Sequence, residues 1–492
     1  LENPQKLPIE RVSPAGVNPG NSGANSFERR DIVRRGGRRA KKSVTGFTRF
    51  LRSTNGWRML FFALLTLWAA STHAAAKRKP QDYGGPPPPT VGPALLWVPR
   101  VVLFPPWLVS EYVVRQPIGA LTRTAERDQW PEQVIGFFTF GERRQITLFP
   151  SALFDFGLKP SIGFNFGWKY FIAEPNSLRV HFGFWGPDWV TARVVDEYSL
   201  SDSQAVSFEG QFVRRKDLPF YGVGPESPSS PRLRYQAMTS QFSLGYRYDF
   251  WRSSALTTRI GMRTLSFGTG TCCGSQSIYD AVASGSIPEP PGLGDGYIAE
   301  FQGLSLAFDS RRPRPENGSG VRLDGHGEGV FAPAGGSHET RAWMAYGASA
   351  GAALDAGGGR VFGLGVNAEL IDPLRGTVPF TDQVSLGGNK PMRGYLQGRL
   401  IDRSSLVARA QYTWPVWYYL NGVVQADVGN VFGPHFDGFE PALLRLSTAI
   451  GIRSNGSPDS GLEILVAGAT DPLGNGFRYS SFRLVIGSHH GF

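Results

Sequence analysis

The sequence predicts an all-β protein: a transmembrane antiparallel β-barrel of about 16 strands, preceded by a short helical periplasmic segment. Three observations predict it. From about residue 145 onward, hydrophobicity alternates with a period of two. The apolar parity is unusually aromatic, with Trp and Tyr crowding the strand ends, as in Trp168 and Tyr170, Trp185 and Trp189, and Trp414 to Tyr419. Past residue 130 almost no helical pattern remains to cover the second face of a sheet. Alternation alone also fits a soluble sandwich. The aromatic belts and the missing second layer favour an apolar solvent outside and a polar interior, and a sheet in a membrane must close to satisfy its backbone.

The chain begins with a basic leader. Of the formal net charge of +11, residues 1–76 contribute most, with 13 Lys and Arg against 4 Asp and Glu. The basicity therefore does not belong to the folded part, and no nucleic-acid partner is expected. The leader ends in Arg58, the apolar run LFFALLTLWAA (60–70) and the small residues STHAAA (71–76), the layout of a secretory signal peptide with cleavage near Ala76. The apolar run is too short to span a bilayer as a helix, which takes about 20 residues.

Residues 77–93, KRKPQDYGGPPPPTVGP, form a Pro/Gly linker with nothing to bury. Residues 94–130 are apolar early, charged late and interrupted by Pro99, Pro105, Pro106 and Pro117. The expectation here is short amphipathic helices, either strapped onto the protein or lying in the membrane interface on the periplasmic side.

The barrel is expected over 131–492. In SIGFNFGWKY (161–170) one parity is Ile162, Phe164, Phe166, Trp168 and Tyr170, and the other is Gly163, Asn165, Gly167 and Lys169. The same division recurs in LRVHFGFW (178–185), QFSLGYRYDFW (241–251) and RLSTAIGIR (445–453). It recurs in YSSFRLVIGSHHGF (479–492), where Phe482, Leu484, Ile486 and the terminal Phe492 share a parity. Roughly 350 residues over about 16 strands accommodate spans of about 9 to 11 residues with alternating short and long connections.

One stretch is out of keeping with this pattern. GGNKPMRGYLQGR (387–399) carries four glycines, three cations and Tyr395. With its flanks, SLGGNKPMRGYLQGRLID (385–402) resembles the lumen-loop motif of the bacterial surface antigen superfamily of outer-membrane barrels, which includes BamA and TamA. VVQADVGNVF (423–432) is similar to that family's Phe-x-Asp-x-Gly strand, and FYGVGPESPSSPRLRY (220–235) and LAFDSRRPRPENGSG (306–320) look like its turn and strand signatures. Met392 and Gln425 stand where the family has valine and phenylalanine. Residues 77–130 are too few for the family's periplasmic POTRA repeats, so the resemblance is to a short member lacking them. It implies a laterally opening barrel in the bacterial outer membrane, with a lumen loop marked by Arg393, Gly394 and Tyr395. It also implies a seam between a first strand around 146–156 and the terminal strand 479–492, where Gly487 and Phe492 lie.

Parity gives this geometry independent content. Leu420, Gly422, Val424 and Ala426 share one face of their strand, so Asn421, Gln425 and Asp427 point into the lumen and Gly429 shares their parity. Likewise Leu304, Leu306 and Phe308 face lipid, which turns Asp309 inward, with Arg311 close behind. A carboxylate in the lumen needs a partner, and a glycine-hinged loop folding back inside carries Arg393 to Asp427.

Enzymatic features are thin. GASAG (347–351) matches Gly-x-Ser-x-Gly, but it sits in an alternating run with no helix after it, so the elbow that exposes such a serine is missing. Adjacent His489 and His490 point to opposite faces, and no metal or cofactor is expected. Cys272 and Cys273, neighbours in a Gly/Ser-rich stretch, could bind a metal, pair with each other or be an ordinary loop feature. The leading expectation is a non-enzymatic barrel that inserts or translocates polypeptide or lipid. The expected partners are outer-membrane lipid, lipopolysaccharide and unfolded outer-membrane proteins, and homo-oligomerisation is left open. The alternatives are a passive pore and, behind it, an outer-membrane esterase.

Overall fold

The computed structural model describes residues 119–489, apart from 121–122, 125–126, 154–160, 231, 312–317, 336–338, 418–419 and 455–460. The expected signal peptide, the linker, most of the 94–130 segment, His490 and Phe492 lie outside the described residues. Within that segment, residues 119–120, 123–124 and 127 are helical. Helix α1, Trp130–Phe137, continues past the expected start of the barrel at 131. Proline in its first turn suits this position, since its fixed φ and missing N–H cost nothing there. A two-residue strand β1 (Thr139–Phe140) follows.

Sixteen longer strands then follow, in agreement with the alternation. The first eight are β2 (Ile146–Leu153), β3 (Ser161–Lys169), β4 (Asn176–Phe184), β5 (Trp189–Ser201), β6 (Gln204–Phe220), β7 (Leu233–Trp251), β8 (Ser254–Thr269) and β9 (Tyr297–Asp309). After β10 (Gly320–Ala332), β11 (Arg341–Asp355) and β12 (Val361–Arg375), the chain makes a small separate ribbon, β13 (Val384–Leu386) paired with β14 (Leu400–Asp402). The wall resumes with β15 (Ser404–Trp417), β16 (Leu420–Phe432), β17 (Arg445–Ser454), β18 (Gly461–Thr470) and β19 (Tyr479–His489). Each wall strand pairs antiparallel with the next, β12 pairing directly with β15. The register runs unbroken from β2 to β19, and among the described residues no strand pairing joins β19 back to β2.

Exposure follows the predicted parity. On β9, Ile298 is 58% exposed and Leu304 55%, whereas Ala299 and Phe301 on the other parity are buried. The outward apolar face suits lipid and the inward face is polar or small, so the architecture is that of a transmembrane β-barrel. Connections at one end are short, such as 202–203 and 252–253, and those at the other are long, such as 221–232, 270–296, 376–403 and 433–444. Long loops mark the external side of such barrels.

The long-loop mouth is closed by an apolar cluster. Its hub is Phe380, with ring centroids 5.2 Å from Phe220, 5.1 Å from Tyr235 and 5.8 Å from Phe267. Residues of helix α2 (Ile278–Ala283) pack into the same cluster, and the Phe380 amide donates to the Pro291 carbonyl, tying 376–403 to the 270–296 loop. Truncating a buried phenylalanine costs about 3–5 kcal/mol. Phe380→Ala should therefore lower the denaturation midpoint of the heat-modifiable band clearly more than Phe242→Ala on the lipid face. Equal effects on gel mobility shifts would show that the mouth is not a packed core.

Candidate functional site

The loop 387–399 lies inside the wall, and its backbone explains its glycines. Gly387 and Gly388 take φ of 95° and 68°, where a side chain is strained. Their amides donate to Pro391 and Tyr395 carbonyls at 2.8 and 2.9 Å, folding the segment into a compact tip. Gly394 rests against β18: a Cβ there would lie 2.3 Å from the Gly468 carbonyl oxygen. Only glycine permits that approach.

Side chains of the wall then grip the tip. The Met392 amide donates to the Asp427 carboxylate at 2.9 Å and the Gly394 amide to Ser447 Oγ at 2.8 Å. Ser481 Oγ donates to the Gly394 carbonyl at 2.6 Å, and Arg483 to the carbonyls of Arg393 (2.8 Å) and Tyr395. Buried Tyr395 donates its hydroxyl to the Thr470 carbonyl. Strands β16 to β19 all contribute.

Asp427 is fully buried on β16, with Gly429 at the same parity. The expected pairing of Arg393 with Asp427 is not what the structure shows. Asp427 takes a bidentate guanidinium from Arg409, at 2.7 and 3.1 Å, and a further hydrogen bond from Gln425 at 2.9 Å. Arg409 stands directly across from it on β15, so no loop is needed to reach it. Arg393 instead forms its ion pair with Glu463 on β18, which also receives Arg453 at 3.3 Å. Asp427 and Glu463 are both shut off from solvent, in one cluster with Arg393, Arg409 and Arg453. Burial, first among the causes, pushes the loop guanidiniums of Arg393 and Arg399 down to about 10, so both stay charged at neutral pH.

The resembling stretch 220–235 joins the loop. Arg399 donates to Ser227 Oγ at 2.8 Å and to its carbonyl at 3.0 Å, and stacks 4.7 Å over the Tyr221 ring. Arg445 and Asn430 hold the Pro225 carbonyl, each at 3.0 Å. Loops 221–232 and 387–399 are thus clamped together across the interior. Asp309 and Arg311 are not part of this site. They pair with each other at 2.6 Å where β9 ends, opposite the long-loop end. Gly487 stands in register with Glu463, beside the cluster.

Parity marks two further inward charged residues that lie outside the motifs. Glu463 shares a face with Leu465 and Ala467 while Ile464 and Val466 point out, and Arg483 alternates with outward Phe482. Ser349 of GASAG lies mid-strand and donates to Asp324 at 3.0 Å. Cys272 and Cys273 are bonded to each other. Among the described residues, no cluster of His, Cys, Asp or Glu is arranged to hold a metal.

A chamber of about 1070 Å³ lies between the plugging loop and the β2–β8 wall, bordered by Asn165, His181, Arg193, Gln211, Asn389 and Gln397. It also reaches Pro150 of β2 and Ile486 of β19. Both belong to the outward parity: Pro150 is paired with exposed Phe164, and Ile486 alternates with buried Val485.

No protein-family profile and no curated protein sequence matches this chain. Among solved structures it is similar to BamA from Haemophilus ducreyi lacking POTRA domains 1-3, with a TM-score of 0.48, 12% identity and 70% of each chain covered. It is also similar to CdiB from Acinetobacter baumannii, with a TM-score of 0.44, 11% identity, and 70% of this chain and 59% of that one covered. The likeness to the alcaligin outer-membrane receptor FauA from Bordetella pertussis has a TM-score of 0.29 at 8% identity, over 69% of this chain and 55% of that one.

The charge cluster predicts a specific pattern of coupling. Removing one member of a buried pair costs about 3–5 kcal/mol, and residues that act as a unit are non-additive. Stability cycles on Arg393→Met with Glu463→Gln should show strong coupling, and Arg393→Met with Asp427→Asn much weaker coupling. The reverse order would return Arg393 to Asp427.

Proposed function

We propose that this barrel opens sideways between β2 and β19 and inserts or translocates polypeptide or lipid there, in the manner of the bacterial surface antigen superfamily, while loop 387–399 blocks the axial route. The supporting observation is the chamber that touches outward-facing residues of both terminal strands, Pro150 and Ile486. A cavity confined to the lumen would meet inward parity alone. The polar side chains on its wall, among them Asn165, His181, Arg193 and Gln211, suit an extended segment still carrying unpaired backbone groups, which seek partners before they enter lipid. In this reading the partners are unfolded outer-membrane proteins or lipid, and the barrel catalyses no covalent chemistry.

The test joins the two strands. Ser151→Cys combined in turn with Val485→Cys and Ile486→Cys should give at least one oxidised pair that keeps heat-modifiable mobility yet stops insertion of an unfolded barrel into liposomes, with reductant restoring it. Full activity in the cross-linked protein would refute lateral opening. Ion conductance without any insertion activity in the wild type would favour a passive pore.

A further inference from the structure

Glu300 and Gln302 break the pattern of the lipid-facing wall. On β9 the outward positions Ile298, Leu304, Leu306 and Phe308 are apolar, yet the two between them carry a carboxylate and a carboxamide, both exposed. Across this part of the wall runs a trough of about 780 Å³. Its floor is made by outward-facing small residues, Gly329 on β10 and Ala342 on β11, and its banks include Phe242, Met262, Phe331 and Leu374. In register, Glu300 stands between Met262 of β8 and Phe331 of β10. The trough is of a size that holds a small amphiphile.

A carboxylate facing lipid is costly unless it is partnered. Among the described residues, no hydrogen bond or ion pair from this chain reaches Glu300. The partner must come from outside, and it must be cationic and reach a site flanked by aromatic and aliphatic side chains. Glu300 lies three residues inside the long-loop end of β9, which starts at Tyr297. That depth matches a boundary between headgroups and acyl chains.

We propose that this trough is a lipid site for an aminophospholipid: one acyl chain lies over Gly329 and Ala342, and the primary ammonium of the headgroup pairs with Glu300. The wall faces the bilayer, and such a lipid supplies both the apolar chain and the cation the site lacks. An anionic lipid would meet Glu300 with like charge and bind only through a bridging divalent ion. The site does not depend on opening between β2 and β19, which lie elsewhere on the wall.

The test uses the delipidated full-length protein in detergent, incubated with phosphatidylethanolamine, phosphatidylcholine or lipopolysaccharide and read by native mass spectrometry. Phosphatidylethanolamine should be retained best. Loss of a charge-assisted hydrogen bond predicts about a tenfold drop for Glu300→Gln, with phosphatidylcholine retention unchanged. Ala342→Phe, which fills the floor, should remove both, and each variant should keep heat-modifiable mobility. Equal retention of phosphatidylethanolamine by wild type and Glu300→Gln overturns the proposal. So does retention of lipopolysaccharide alone that chelator abolishes, or a dimer that Glu300→Gln dissociates.

Discussion

Two carboxylates cut off from water, Asp427 and Glu463, dictate how the interior is filled. A charge withdrawn from solvent must find opposite charge and hydrogen bonds nearby, or its desolvation outweighs anything gained. Neighbouring strands supply part of the answer in Arg409 and Arg453. The rest arrives with the loop, as the Met392 amide and the Arg393 guanidinium. Such clusters add little net stability over a well-packed apolar alternative, so their value here is positional. They accept one placement of the loop and reject others.

The interior is therefore layered. Toward the long-loop mouth the packing is aromatic, centred on Phe380, with the Arg263–Asp382 pair at its edge. Below it lies the ionic layer around loop 387–399. One connection, 376–403, threads both layers, with Phe380 in the first and Arg393 in the second. The two parts of that connection are therefore held differently, one mainly by aromatic packing and the other by buried charge pairs.

Much of this was legible in the sequence because the side-chain period of a strand is two, and parity assigns a face to each residue. The all-β architecture and the outward aromatics follow from alternation. The partner of Arg393 did not follow. Alternation tells that Asp427 points inward but not which strand faces it across a curved wall. Arg409 lies opposite Asp427 because β15 and β16 are consecutive antiparallel strands in that register, a pairing that parity alone does not give. The clamp from Arg399 to Ser227 spans 172 residues of sequence, a distance at which local pattern carries no information. The trough at Glu300 was missed because its floor is defined by small residues on two adjacent strands, a property of the assembled sheet.

The grip of Ser481 and Arg483 on the carbonyls of the loop tip has a temporal meaning. Both belong to β19, the last strand among the described residues. Contacts between distant parts of a chain form late, since their closure entropy must be met first. The loop can therefore collapse inward early, held by β16 and β17, but it is secured only when the C-terminal strand has docked. Seating of the tip is thus a checkpoint on maturation: a barrel whose last strand is absent, frayed or mispaired is left with a loosely held stopper.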